Sequence, residues 1–431
     1  MLAEHKLGYR TPIQYCWVLD TDPGIAVIED FAEQLSKGLL HRVVARGATP
    51  LPRRRWVRSP LAPRVTVGAR IADDAVGDWA DEVLRTADLR PLQGLGWRLV
   101  TTTTTSGRRV VALLISHLVS DGEAIMRGLI AASEGQTYSL PNAATARGAR
   151  AVKEDVRDAA AQLRAAGRSV RSALSELRKG RQAAAPTAKA TATQKRPDGL
   201  HYDPHETALA IVDVDREVWR EQAAAHGGTA NTLFMGVLCG VARRAGHPVT
   251  DDIKVSVAVS KRGGPEDIRA NASGGVWLRV GQQQPTPGDL GELRSLSKQA
   301  FADYAKTGTE VPDDMLALVR LLPRRGLSAA MRAVPAPDVS VSNLGVLSEK
   351  VRNIFGVPAS SFVLRLLIQS SDPQATDTMP GPKVSAWIVE YGDRVTLSFA
   401  AFAPEIYGTT EEFRQLLSDE LTAWGIEHKQ W

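Results

Sequence analysis

Val110-Val111-Ala112-Leu113-Leu114-Ile115-Ser116-His117-Leu118-Val119-Ser120-Asp121-Gly122 is the stretch on which the fold turns. Its six leading apolar residues, rich in β-branched side chains, read as a strand buried on both faces. Glu123-Ala124-Ile125-Met126-Arg127-Gly128-Leu129-Ile130 follows and reads as a helix. His117 thus stands where a strand turns into a helix, a position from which a side chain can be held rigidly and aimed into a cleft. Asp121 and Gly122 complete a His-x-x-x-Asp-Gly string. The chain holds eight histidines in 431 residues. Ordinary Asp and Gly frequencies would give about 0.04 such strings by chance. The plain structural alternative is a core histidine beside a tight turn.

Outward from this stretch, Trp97–Thr104 and Arg109–Ser116, joined through Ser106-Gly107, form an expected β-hairpin whose second strand delivers His117. Gln14–Asp20 reads as an earlier strand, and Ile25–His41 has helical spacing. Val152, Val156, Leu163, Val170, Leu174 and Leu177 recur at helical spacing with arginines opposite, a basic amphipathic helix over 152–181. An Ala/Thr-rich linker runs from there to about Pro197. The second half opens with a strand at Ala208–Val214 and a helix at Arg216–His226. Thr229-Ala230-Asn231 then caps a long apolar helix, Thr232–Ala245. Strands are expected at Ile253–Val259, Gly275–Val280, Val339–Asn343, Phe362–Gln369 and Val395–Phe402. Helices are expected at Gly288–Lys306 and Thr409–Trp424. This divides the chain into 1–145, 146–200 and 201–431.

Composition narrows the function classes. At 43% hydrophobic the chain can bury a large core. Cys16 and Cys239 have no Cys or His cluster around them, which argues against a zinc site or a disulfide scaffold and fits a reducing compartment. Met1-Leu2-Ala3-Glu4-His5-Lys6 lacks the apolar stretch of a signal peptide. No run of about 18 apolar residues exists to span a membrane. The expected location is therefore cytoplasmic. Between Arg147 and Arg196 stand 13 Lys or Arg against 4 Asp or Glu, which leaves the rest of the chain at about −4 of the net +5. The basicity belongs to one segment without interleaved aromatics, so a nucleic-acid role has little support. A basic amphipathic helix can instead lie on an anionic membrane surface at the inner face, although packing as a crossover between halves is the favoured reading.

The His117 string resembles the His-His-x-x-x-Asp-Gly motif of the condensation-domain-like acyltransferase superfamily, built from chloramphenicol acetyltransferase-like halves. Ser116 stands where that family carries its first histidine. Asn231-Thr232-Leu233-Phe234, Val257-Ala258-Val259-Ser260-Lys261-Arg262 with Asn271 beyond, and Ser340-Val341-Ser342-Asn343-Leu344-Gly345 are similar to successive stretches of the bacterial wax ester synthase/diacylglycerol acyltransferase-type branch. The resemblance covers most of the chain from about residue 12. It implies an α+β fold of two subdomains, each a mixed sheet with flanking helices, with the active-site tunnel between them. It also implies His117 as catalytic base, Asp121 as a structural carboxylate paired with Arg262, and Ser342 and Asn343 near the tunnel, with Ser116 and Asn231 as further tunnel candidates.

The implied activity is transfer of an acyl group from acyl-CoA to a hydroxyl acceptor, with no bound cofactor and no metal. A free-standing condensation enzyme fed by an acyl carrier protein, and a non-catalytic binding protein, are the alternatives. Gly122 is expected where no Cβ fits. Asn231 has an ordinary reading as an N-cap, and Ser342-Asn343 as a strand-to-turn transition. Arg53-Arg54-Arg55 before Trp56 reads either as a contact for a CoA phosphate or as a solvated loop. His201 and His205 flank Pro204, which argues against helical metal ligation.

Overall fold

The computed structural model describes residues 8–45, 55–141, 202–264, 266–281, 287–307, 336–370 and 381–431, with Leu200, Gly326 and part of 152–164. Two mixed sheets organise them. The first has five strands in the order Ala359–Leu366, Pro12–Leu19, Arg109–Ser116, Trp97–Thr103, Val65–Val67. The second has seven: Ser273–Val280, Ile253–Ser260, Val339–Val346, Val384–Tyr391, Arg394–Ala401, Ala208–Asp215, His428–Gln430. With flanking helices they make the α+β architecture that the resemblance implies.

Strand Arg109–Ser116 is the centre of the first sheet, and all eight of its residues are buried. Its register places Pro12 opposite Ser116 on one side and Trp97 opposite Ile115 on the other. His117 therefore emerges from the middle of the sheet, where both neighbouring strands restrain it.

One strand crosses between the halves. Ala359–Leu366 pairs antiparallel with Pro12–Leu19 and so completes the first sheet from the second half of the chain. The expected strand Phe362–Gln369 overlaps it, but its sheet was not legible. Buried polar groups fix this crossing. Arg365, fully buried, donates to Gln14 Oε1 at 2.8 Å and to Asp81 in the helix Val76–Arg85. Arg414 of the helix Thr410–Ala423 holds the other Asp81 oxygen at 3.0 Å. Such a buried pair tolerates loss of neither partner, so it selects one docking of the halves.

The core is correspondingly shared. Leu209 and Ile211 of the second sheet join Trp17, Phe355 and Phe362 in one cluster, while Ala208, Ala210, Val212 and Val214 face a second cluster with Phe234 and Phe399. This period-2 alternation buries the seven-stranded sheet on both faces. Val384–Tyr391, wholly buried, escaped the sequence reading, as did the helix Val76–Arg85 and the hairpin Arg42–Ala45 with Arg55–Arg58.

Two local expectations need correction. The helix from Ile25 stops at Ser36 rather than near His41, because Arg42–Ala45 turns into a strand. In the apolar helix of the second half, Thr229 is the N-cap and makes a capping box with Thr232, so Asn231 lies inside the first turn and does not cap.

Most of 146–200 lies outside the described residues. Within 152–164, Val152 and Val156 are 41% and 55% exposed, whereas Asp155 is buried. Arg55 holds Asp155 at 2.7 Å. Packing of that apolar face against the body is thus not what these positions show; the helix turns an acid inward and valines outward. Arg55 is consequently neither in a solvated loop nor free for a phosphate, and Arg53 and Arg54 lie outside the described residues. No helix among the described residues is long and apolar enough to cross a membrane.

Candidate active site

After Ser116 the chain makes one tight turn, 117–119, before the helix Gly122–Ser133 begins. Ser116 Oγ accepts the Leu118 N–H at 3.2 Å, and Ser116 itself is buried. Its hydroxyl serves the turn, a placement that gives no support to a role in lining a tunnel. Asp121 is the helix N-cap, accepting the Ala124 N–H at 2.9 Å. The short Ser and Asp side chains suit this geometry because both satisfy backbone N–H groups that a strand-to-helix junction leaves unpaired.

The second half closes over this turn. Arg262, at the exit of strand Ile253–Ser260, donates from Nη2 to both Asp121 oxygens at 2.7 Å, and its side chain is 1% exposed. Its Nη1 donates to the carbonyls of Asp267 at 3.1 Å and Arg269 at 2.8 Å, so the 262–269 loop wraps round the guanidinium. The Ala272 N–H donates to Asp121 Oδ2 at 2.6 Å, and the Asp121 N–H donates to the Ala270 carbonyl at 3.0 Å. Burial pushes the Asp121 carboxyl up, but Arg262 and the amides of Ala272 and Ala124 outweigh it and hold the group below the usual carboxylate range.

His117 is half-buried. Its N–H donates to the Thr11 carbonyl at 2.9 Å, and its carbonyl accepts the Asn271 side-chain amide at 2.6 Å. Burial pushes the imidazole below its ordinary value, against opposing effects of its own backbone carbonyl, Asp121 and Asn271. At neutral pH the ring is therefore uncharged and able to accept a proton.

Two residues escaped the sequence reading. Arg42 is buried and donates to the Val119 carbonyl from Nε at 3.2 Å and Nη2 at 2.7 Å, with Trp56 stacked 4.8 Å away. Its guanidinium is pushed down to about 10, by burial first and by Arg262 second, and stays charged at neutral pH. Tyr15 donates its hydroxyl to the Gly122 carbonyl at 2.9 Å. An arginine heading the short Val43-Val44 strand was the available sign for Arg42; nothing in the sequence singled out Tyr15.

Gly122 departs from expectation. A Cβ there would meet Tyr15 Oη at 3.7 Å and Leu344 Cδ2 at 4.0 Å, ordinary contacts, so sterics do not demand glycine. What the position does show is that the end of strand Val339–Val346 abuts the start of the His117 helix. Beside it Asn343 donates to Asn231 Oδ1 at 3.2 Å and accepts the Gly345 N–H at 2.7 Å, where the strand's register shifts. Asn343 and Asn231 thus shape that bulge, and Ser342 lies half-buried across from Trp387. His205 sits in a loop, donating its N–H to Asp203, and His201 lies outside the described residues.

Comparison with solved structures places the fold. The chain aligns with the condensation domain of the Monacolin K polyketide synthase MokA over 97% of its own length and 92% of that chain, at 14% identity and a TM-score of 0.54. The wax ester synthase/diacylglycerol acyltransferase of Marinobacter aquaeolei VT8 matches over 97% and 95%, at 13% identity and 0.52. TRI101 of F. sporotrichioides, solved with coenzyme A and T-2, matches over 99% and 96%, at 12% identity and 0.56. No family model and no curated protein sequence matches the chain. The chain has the chloramphenicol acetyltransferase-like fold of condensation domains and wax ester synthases, with both halves present.

Proposed function

We propose that the protein is an acyltransferase that moves an acyl group from acyl-CoA to a hydroxyl acceptor. The observation that carries this reading is the neutral, half-buried His117 at the join of the two halves, held by groups from both. As the acceptor oxygen attacks the thioester carbon, the imidazole takes the hydroxyl proton. The tetrahedral intermediate then expels the thiolate, which receives that proton. A thioester is already activated, so neither a metal nor an acyl-enzyme is needed. Because Asp121 occupies the Ala124 amide, the Gly122 and Glu123 amides at the helix start are those offered to the developing oxyanion. Asp121 is bonded on both oxygens and does not act as an acid or base. The reading assigns the reaction to the cytoplasm, where acyl-CoA forms.

The test is acceptor-dependent release of free CoA thiol by the purified protein, given acyl-CoAs from C2 to C18 with a panel of alcohols and amines. Ester formation with CoA release establishes the reaction. Turnover only with an acyl group loaded on a carrier protein replaces the donor, and a folded protein that turns over neither donor is a binding protein.

The direction of the His117 shift also sets a pH profile. A base whose pKa lies below the ordinary 6.5 or so is deprotonated throughout the neutral range. We expect kcat/KM to rise with pH along a single acid limb with its midpoint below that value and to stay level above it. A midpoint in the alkaline range would rule out this imidazole as the base.

A further inference from the structure

Three strands at one side of the seven-stranded sheet, Ser273–Val280, Ile253–Ser260 and Val339–Val346, are packed on one face only. Val255, Val257, Val276, Leu278, Val339 and Val341 lie in the second core cluster. The alternate residues, Ser256, Ala258, Gly275, Trp277, Ser340 and Ser342, are half-buried or exposed. Ser342 stands beside Trp387, which joins Trp17 and Phe362 in the first cluster, so this open face is the one turned toward the His117 half. Its side chains are mostly small and hydroxylic, and they form a low floor. A Cβ on Gly275 would meet Ser256 Oγ at 2.9 Å, closer than carbon and oxygen pack. One end of the floor reaches the candidate active site: Leu344 abuts Gly122, and Arg262, two residues past Ser260, holds Asp121.

At the other end Lys254 and Arg279 stand directly opposite each other in the register. Among the described residues neither makes an ion pair or a side-chain hydrogen bond. Asp338 alongside is engaged by the Lys254 main-chain N–H at 3.0 Å and by Lys383 at 3.3 Å. Like charges facing each other across a strand pair destabilise a sheet, and an anion between them reverses the sign. Two polar groups at the margin of the floor also lack partners. Ser385 and Trp387 are 5% and 9% exposed, and neither the hydroxyl nor the indole N–H is bonded among the described residues. Polar groups buried so deeply are normally bonded. Register sets Ser385 beside Ser340 and Trp387 beside Ser342, so both belong to this face.

Length supplies the ligand. From Lys254 to Ser260 the strand advances about 20 Å. The phosphopantetheine arm of an acyl thioester, from sulfur to phosphorus, has the backbone length of four to five extended residues, roughly 15 Å. Long cationic side chains cover the difference. The arm carries two amides and a hydroxyl, which match a floor of serines. We infer that this floor seats the donor's phosphopantetheine arm, with its phosphate on Lys254 and Arg279 and its sulfur at the His117 turn. The inference rests on the thioester donor of the proposed reaction. Coenzyme A and an acyl carrier protein share the arm and its phosphate.

The experiment titrates the full chain with pantetheine, 4′-phosphopantetheine and CoA by calorimetry. Phosphopantetheine is expected to bind at least about tenfold tighter than pantetheine, the worth of a hydrogen-bonded charge. Lys254→Met/Arg279→Met should abolish that difference and leave pantetheine binding unchanged. Its urea midpoint should equal or exceed that of the wild type, since a like-charge contact is gone. In turnover, KM for the donor should rise about tenfold with kcat retained. Arg294→Met/Lys298→Met is the control. These exposed cations lie on the helix Gly291–Thr307, whose Leu293 packs against the opposite face, and their loss removes the same charge. This control should bind all three ligands as the wild type does.

Equal phosphopantetheine affinity in the wild type and Lys254→Met/Arg279→Met would overturn the inference. So would an equal loss in the control pair, or no binding of phosphopantetheine by the wild type. Within a positive result, tighter binding of CoA than of phosphopantetheine identifies CoA as the source of the arm, and equal binding identifies a carrier protein. Absent turnover in a wild type that binds the arm would be a failure of the acyltransferase reading and not of this site.

Discussion

His117→Ala is expected to reduce acyl transfer by about 10²–10⁴ in kcat, the range that removal of a positioned base produces. Its effect on stability should be small. The N–H and carbonyl of residue 117, which anchor the turn to Thr11 and Asn271, belong to the backbone and survive the substitution. A half-buried imidazole that is uncharged at neutral pH contributes modest packing. The variant should therefore unfold within about 1 kcal/mol of the wild type, as substitutions outside the fully packed core usually do. KM for the acyl donor should change little, because the base meets the attacking hydroxyl and not the acyl chain. Steady-state turnover beside urea unfolding checks both halves of this expectation. A folded His117→Ala protein with more than a tenth of wild-type kcat would remove the base from His117.

The junction carrying His117 is legible in the sequence because its signals are local. A six-residue apolar run, a capping aspartate and a helical pattern follow one another between Val110 and Ile130, and each is sufficient for its own element. The Arg262 partnership is legible only through resemblance, since 141 residues separate it from Asp121. What stays hidden is long-range. Phe362–Arg365 is a continuous buried run within the strand Ala359–Leu366, and such a run marks a buried strand without saying which sheet receives it. Thr229 and Asn231 are both good N-caps two residues apart, and the reciprocal bond to Thr232 decides for Thr229. Asn271 carries no local signal for its bond to His117, because its partner is a backbone carbonyl in the other half. Of the six positions behind the amphipathic reading only Val152 and Val156 are described, and both are exposed, while Asp155 between them is buried and held by Arg55, a partner distant in sequence that no local pattern announces.

Arg262→Met is expected to destabilise the protein by about 3–5 kcal/mol at neutral pH, the cost of leaving one member of a buried ion pair alone. The geometry argues for the upper part of that range. The guanidinium does more than neutralise Asp121; it gathers the Asp267 and Arg269 carbonyls, so its loss also loosens the loop that presents Asn271 and Ala272. Arg262→Lys should recover only part of the loss, because one ammonium cannot supply the parallel donors that reach two carboxylate oxygens and two carbonyls. The pH dependence has a definite sign. Asp121 titrates lower in the folded protein than the roughly 3.9 of an unfolded aspartate, so the pair stabilises above that value and its contribution is lost as pH falls through the folded pKa. The gap between wild type and Arg262→Met should accordingly be widest above about pH 4 and narrow on further acidification. Urea unfolding at pH 7 and at successively lower pH measures it. A gap of under 1 kcal/mol at pH 7, or one that widens in acid, would show that Arg262 and Asp121 do not hold the two halves together at the His117 turn.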